Sequence, residues 1–125
     1  MSTTIKNVQR TFTATGTMSP YILVKIDTDG SVSTATKVAS GEYRVGFTTR
    51  EVLNAGDSTG IVLLNGGGTA YGTLAGTVTN AGTPLYGASG GKLGTTASHT
   101  VVGYSLTAGG AANDVVEVLI HNPAT

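Results

Sequence analysis

The sequence predicts an all-β protein: a compact β-barrel or sandwich built from two similar β units, with a polar N-terminal arm. Three observations predict it. Thr and Val are frequent and Gly is dense, while stretches with helical period are missing. The apolar pattern runs mostly with period two, and turn residues return at the roughly 8–12-residue spacing of sandwiches and barrels. Finally, "VGFTTREVLNAGDSTGIVLLN" (45–65) is written again, fifty-seven residues later and without a gap, as "VGYSLTAGGAANDVVEVLIHN" (102–122).

The elements follow in order. Residues 1–20, "MSTTIKNVQRTFTATGTMSP", are polar, Thr-rich and closed by Pro20. They read as an arm or edge strand, with a strand over 11–15, which either frays or orders on a neighbouring subunit. Residues 21–125 read as one β domain. "YILVKID" (21–27) is an apolar strand, and Asp29-Gly30 turns it back because Gly takes a left-handed backbone at no steric cost. Further strands are expected at 31–38, 43–49, 60–65, 71–78, 85–88, 101–106 and 115–121. One helical turn is expected within 49–57 and a loop over 106–114.

In the repeat, Val45 matches Val102, Gly46 matches Gly103, Phe47 matches Tyr104, Asp57 matches Asp114, and Ile61-Val62-Leu63 matches Val118-Leu119-Ile120. Upstream, "LVKIDTDGSVSTAT" (23–36) resembles "PLYGASGGKLGTTA" (84–97), each a strand, a Gly-containing turn and a Thr-rich strand. A single unit cannot bury both its faces, whereas two packed units can, so the repeated apolar residues read as core.

Composition narrows the function. Seven basic and seven acidic residues make 11% charged, against roughly 25% in an ordinary domain. There is no basic footprint for nucleic acid. Mean hydropathy is +0.14, and no apolar run nears the ~20 residues of a membrane helix. No apolar segment follows the N-terminus as in a signal peptide, so none is expected. Cys is absent, which excludes disulfides and thiolate metal sites. With 22 Thr and 19 Gly, the surface is neutral and cheap to desolvate, suited to broad contact with another protein.

Several stretches imitate reactive sites. "GASGG" (87–91) fits G-x-S-x-G, and Asp114 or Glu117 and then His121 follow in the Ser, acid, His order of a hydrolase. The motif needs a strand running into a helix so that Ser89 is held exposed beside an oxyanion hole, and no helical period follows it. A hairpin turn fits better. "DTDGS" (27–31) opens like a calcium loop, but the twelfth position is Val38 rather than Glu, so a hairpin is again the better reading. "NGGGTAYG" (65–72) lacks the spacing of a phosphate loop. His99 and His121 have no second His or Cys at metal spacing. Asp57 and Asp114 suit turn capping. Of the tyrosines at 21, 43, 71, 86 and 104, Tyr71 and Tyr86 lie beside glycines and are expected to be the more exposed. No catalytic, cofactor-binding or metal residue is assigned, and no enzymatic activity or cofactor is expected.

The doubled "VG-(F/Y)" strand, Ala/Asp connector and apolar strand, with Gly82, Leu85, Tyr86 and Gly90 between the halves, resemble a family of small bacteriophage capsid decoration, or cement, proteins. The resemblance spans about residues 20–121. It implies a structural, oligomeric protein, a homotrimer, on the outer surface of the virion. There it would bridge neighbouring major capsid proteins and stabilise the mature head, with no direct contact to nucleic acid or membrane. The alternatives are a carbohydrate- or surface-binding β module using Tyr71 and Tyr86, and a small hydrolase using Ser89, Asp114 and His121.

Overall fold

The computed structural model describes residues 8–35, 43–66, 68–96 and 101–121. The first half supplies β1 (Gln9–Thr13), β2 (Leu23–Ile26), β3 (Val32–Thr34), β4 (Tyr43–Thr48) and β5 (Ser58–Leu63). The second supplies β6 (Thr69–Thr73), β7 (Pro84–Gly87), β8 (Leu93–Gly94), β9 (Gly103–Ser105) and β10 (Val115–Ile120), with 3₁₀ turns at Leu64–Gly66 and Ser89–Gly91. The two sheets have the orders β1-β5-β4-β2-β3 and β6-β10-β9-β7-β8. One topology is therefore executed twice, with antiparallel neighbours throughout. The all-β, two-unit architecture expected from the sequence is present.

One detail departs from expectation. The helical turn expected within 49–57 is instead an antiparallel bridge from Val52 to Met18 followed by a turn, with the Asp57 amide donating to the Asn54 carbonyl. The strand expected after the Gly-containing turn of 84–97 is present as β8, only two residues long. The expected strand over 31–38 passes outside the described residues after 35, as does His99.

Each sheet curls until its edges meet. Ala14, just past β1, forms a parallel bridge with Val32 of β3, and Leu74, just past β6, does the same with Leu93 of β8. The next residue completes the seam in both units: the Thr15 amide donates to the Val32 carbonyl at 3.0 Å and the Ala75 amide to the Leu93 carbonyl at 2.7 Å. Met18 then bridges Val52 as Val78 bridges Gly110. The structural repeat thus begins at β1, sixty residues ahead of β6. It includes "TATGTM" (13–18), which matches "TLAGTV" (73–78).

Alternation along the strands gives each curled unit an inner and an outer face. The first unit fills its interior with Phe12, Ala14, Met18, Ile22, Val24, Val32, Val45, Val52 and Ile61. The second fills its own with Leu74, Val78, Leu85, Leu93, Val102, Val116, Val118 and Ile120, six of which match Ala14, Met18, Val24, Val32, Val45 and Ile61, while Val116 and Ile120 stand where the first unit has Thr59 and Leu63. Val45 and Phe47 lie on opposite faces despite their even spacing. The cause is an irregularity where Val24 pairs with Gly46 and Lys25 with Arg44, leaving Val45 as an extra residue on β4.

The outer face of the first unit seals the second. Leu23, Ala35, Phe47 and Val62 belong to one buried cluster with the second unit's interior, and Leu23 and Phe47 are fully buried. The reason lies in one substitution between the repeats. Phe12, buried under the Arg10 guanidinium 4.7 Å above its ring, fills the mouth of the first unit. Its counterpart on β6 is Gly72. A Cβ there would stand 2.7 Å from Leu93 Cδ1 and 3.2 Å from Phe47 Cε1, so Leu93 and the Phe47 ring together fill the space a side chain at 72 would need.

Two backbone bonds flank this plug: the Thr73 amide donates to the Tyr21 carbonyl at 2.9 Å and the Gly91 amide to the Ala35 carbonyl at 3.0 Å. Gly91 has φ +73°, and a Cβ on it would lie 2.6 Å from the Leu23 carbonyl oxygen, so the 89–91 turn can reach the first unit only with glycine there.

Candidate functional site

The residues that imitate a hydrolase are spread over separate elements with local duties. Ser89 opens the 3₁₀ turn Ser89–Gly91, a strand-to-strand hairpin and not the strand-to-helix elbow a nucleophile needs. Asp114 is exposed, and its Oδ2 accepts the Ala111 amide at 2.9 Å, closing the turn before β10. The Glu117 carbonyl accepts the Leu106 amide. His121 packs edge-to-face on Tyr104 with ring centroids 5.9 Å apart.

The 27–31 hairpin uses its carboxylates internally. The Ser33 hydroxyl donates to Asp27 Oδ1 at 3.1 Å, and both the Ser31 hydroxyl and amide donate to Asp29 Oδ1. Those two bonds, the hydroxyl's first, hold the Asp29 carboxyl below its usual range. Among the described residues no group of three or more His, Asp or Glu side chains is placed to hold a metal ion.

A concave feature lies at the junction of the two units. Gln9, Tyr21, Thr48, Thr49, Thr69 and Tyr71 line a shallow cleft of about 90 Å³, floored by Phe47, Val62 and Ala70. That size falls well short of the ~300–1,000 Å³ typical of clefts that enclose a ligand, so the feature can offer a surface to a ligand but not enclose one. Tyr71 is 50% exposed and meets Tyr21 edge-on, with ring centroids 5.8 Å apart at 65°. Tyr86, expected from the sequence to accompany Tyr71, is half-buried on β7, which lies beyond β10 and β9 from β6.

Tyr21 is the residue that sequence reasoning passed over. Its backbone is left-handed, φ 59°, a conformation costing a non-glycine residue about 1–2 kcal/mol. A knot around buried Thr48 holds it there. The Tyr21 amide donates to the Thr48 carbonyl and the Thr48 amide to the Ile22 carbonyl, while Thr48 Oγ1 donates to the Ser19 carbonyl and accepts the Ile22 amide. The second unit ties the same knot, with the Gly82 amide donating to the Ser105 carbonyl and the Ser105 amide to the Thr83 carbonyl. At the position of Tyr21 it has Gly82, φ 83°. The signal in the sequence is thus a tyrosine standing where the repeat otherwise uses glycine. Carrying the match of 23–36 with 84–97 two residues upstream sets Tyr21 against Gly82.

No family model matches this chain, and no curated protein matches it. A solved structure does: "The crystal structure of head fiber gp8.5 N base in bacteriophage phi29" superposes with a TM-score of 0.70 at 16% identity, covering 94% of this chain and 96% of that one. The agreement extends over both units and establishes a shared fold.

The junction yields a stability test. In Tyr21→Gly, relief of about 1–2 kcal/mol of backbone strain offsets loss of a ring contact of about 0.5–1.5 kcal/mol. The melting temperature is expected to stay within a few degrees of wild type. A fall of ten degrees or more by scanning calorimetry would show that the ring, not the backbone, governs this corner.

Proposed function

We propose that this chain is a structural protein of a bacteriophage head. It binds the outer surface of the capsid as a homo-oligomer, a trimer, bridges neighbouring major capsid proteins and stabilises the mature shell. The supporting observation is the full-length likeness in fold to the base of a phage head fiber. The sequence resemblance to capsid decoration proteins points the same way. The chemistry agrees: Ser89, Asp114 and His121 stand on separate elements, Asp114 closing a turn and His121 stacked on Tyr104, and a neutral Thr- and Gly-rich surface suits wide, shallow contact. Several weak contacts made at once by one oligomer multiply in strength without any large apolar patch. In this reading the chain catalyses no reaction and touches neither nucleic acid nor membrane. Purified virions are expected to contain the protein, and particles lacking it are expected to release their DNA at lower temperature. Its absence from purified particles, or heads of unchanged heat resistance without it, would overturn the proposal.

The Tyr21–Tyr71 cleft favours a second reading, in which the same head protein holds a neutral sugar. Two aromatic rings among Thr and Gln side chains offer apolar faces and hydroxyl-bonding partners without charge. A glycan array probed with wild type and Tyr71→Ala is expected, on this reading, to show binding that the variant loses; no binding by wild type excludes it.

A further inference from the structure

The two units are alike in topology, yet they complete their interiors by unequal means. Among the described residues, the buried cluster inside the first unit is made of that unit's own side chains, from Phe12 to Ile61. Its seam is also its own, with the Thr15 amide and hydroxyl both donating to the Val32 carbonyl. So is the knot at its corner, where the Thr48 hydroxyl joins Ser19 to Ile22. Phe12 and Arg10 close its mouth. The second unit ties a seam of its own from Ala75 to Leu93, and a knot of its own between Gly82 and Ser105. Its interior, however, is completed by Leu23, Ala35, Phe47 and Val62, all supplied by the first unit.

Separation of the units therefore has different consequences on the two sides. Without the second unit, the first loses nothing from its interior. It exposes Leu23, Phe47 and Val62 on an outer face, and it leaves the Tyr21 and Ala35 carbonyls to water, which can bond them. Without the first unit, the second loses four side chains from its buried cluster, and its interior lies open beside Gly72, which has no side chain to close it. Side chains in a close-packed interior depend on every neighbour for their contacts, so the second unit's core does not outlast that loss. Proteins open in cooperative pieces of unequal stability, and here the pieces are the two units. We infer that the coupling between them runs one way: the second unit opens as a body while the first stays folded, and never the reverse. The half-open molecule keeps β1–β5 and presents Leu23, Phe47 and Val62 on its surface, a face that the closed molecule hides. The order also matches synthesis, because the N-terminal unit is delivered first and the surface that completes the second unit is in place before it.

The test is native-state hydrogen exchange on the full chain, read by NMR at low denaturant. In wild type the amides of β6, β9 and β10 are expected to be less protected than those of β1, β4 and β5. Variants separate one-way opening from uniform fragility. Ile61→Val lies in the first unit's own cluster and weakens the closed and half-open molecules equally. First-unit amides are therefore expected to exchange roughly two- to tenfold faster, the range that follows from the usual cost of this change, while second-unit amides keep their wild-type rates. Phe12→Leu is expected to give the same pattern. Phe47→Leu weakens the closed molecule alone, so both sets of amides are expected to speed up by one common factor, although the residue belongs to the first unit. Equal protection of the two units in wild type, or faster exchange of second-unit amides in both Ile61→Val and Phe12→Leu, overturns the inference. Because the chain has no cysteine, thiol labelling gives an independent reading. Val62→Cys, on the hidden face, is expected to react faster than Val24→Cys, inside the first unit, and equal rates contradict one-way opening.

Discussion

The Phe47 ring in the mouth of the second unit is the contact on which the rest of the structure depends. Each unit is a short curled sheet whose edges meet over a few residues. The second has only a glycine, Gly72, where the first has Phe12, and the Phe47 ring packs over it beside Leu93. Burial of a phenylalanine side chain contributes about 1.5–3 kcal/mol, and close packing in the interior makes truncation of such a ring cost about 3–5 kcal/mol. For a domain of this size that is a large fraction of its whole stability. The surrounding features follow from the plug. Gly91 permits the close approach on one side, the Thr73–Tyr21 bonds fix the other, and the bulge at Val45 lets one strand serve two cores.

The same arrangement separates the surfaces that hold the molecule together from those left for others. A duplicated unit arrives with two mouths and two outer faces. One mouth is closed by its own residue, the other by a neighbour's outer face, and a single outer face is left unpaired. The asymmetry is carried by a few differences between the repeats: Phe12 against Gly72, Tyr21 against Gly82, Phe47 against Tyr104. The conspicuous variation between the repeats thus lies in how the two units cover one another, while the carboxylates of Asp27, Asp29 and Asp114 close turns.

Much of this was legible in the sequence. Period two and turn spacing gave the all-β class, and the 45–65 and 102–122 match marked β4–β5 and β9–β10. The extension of the repeat to 9–18 and 69–78 was not seen. It rests on six positions of small and Thr residues at an offset of 60 rather than 57, and the Gly/Thr-rich background hides so short a match. Which face of each strand is buried was also hidden, because the extra residue at Val45 breaks the parity on which such reasoning relies. The Tyr21–Tyr71 cleft joins residues fifty apart across two units, and nothing local announces it. The turn roles of Asp114 and the 27–31 hairpin were readable because they depend on neighbours two to six residues away.

The central claim, that Phe47 substitutes for the side chain missing at 72, is tested most directly by a double-mutant cycle in chemical denaturation with Phe47→Ala and Gly72→Ala. Each single change is expected to destabilise the protein, the first by leaving a cavity and the second by crowding Leu93 and the ring. In the double variant the added methyl enters space the ring has left. The combined loss is therefore expected to fall short of the sum by about 1 kcal/mol or more, in the range of coupling for residues in contact. Losses that add within about 0.3 kcal/mol, as for independent sites, would contradict the account.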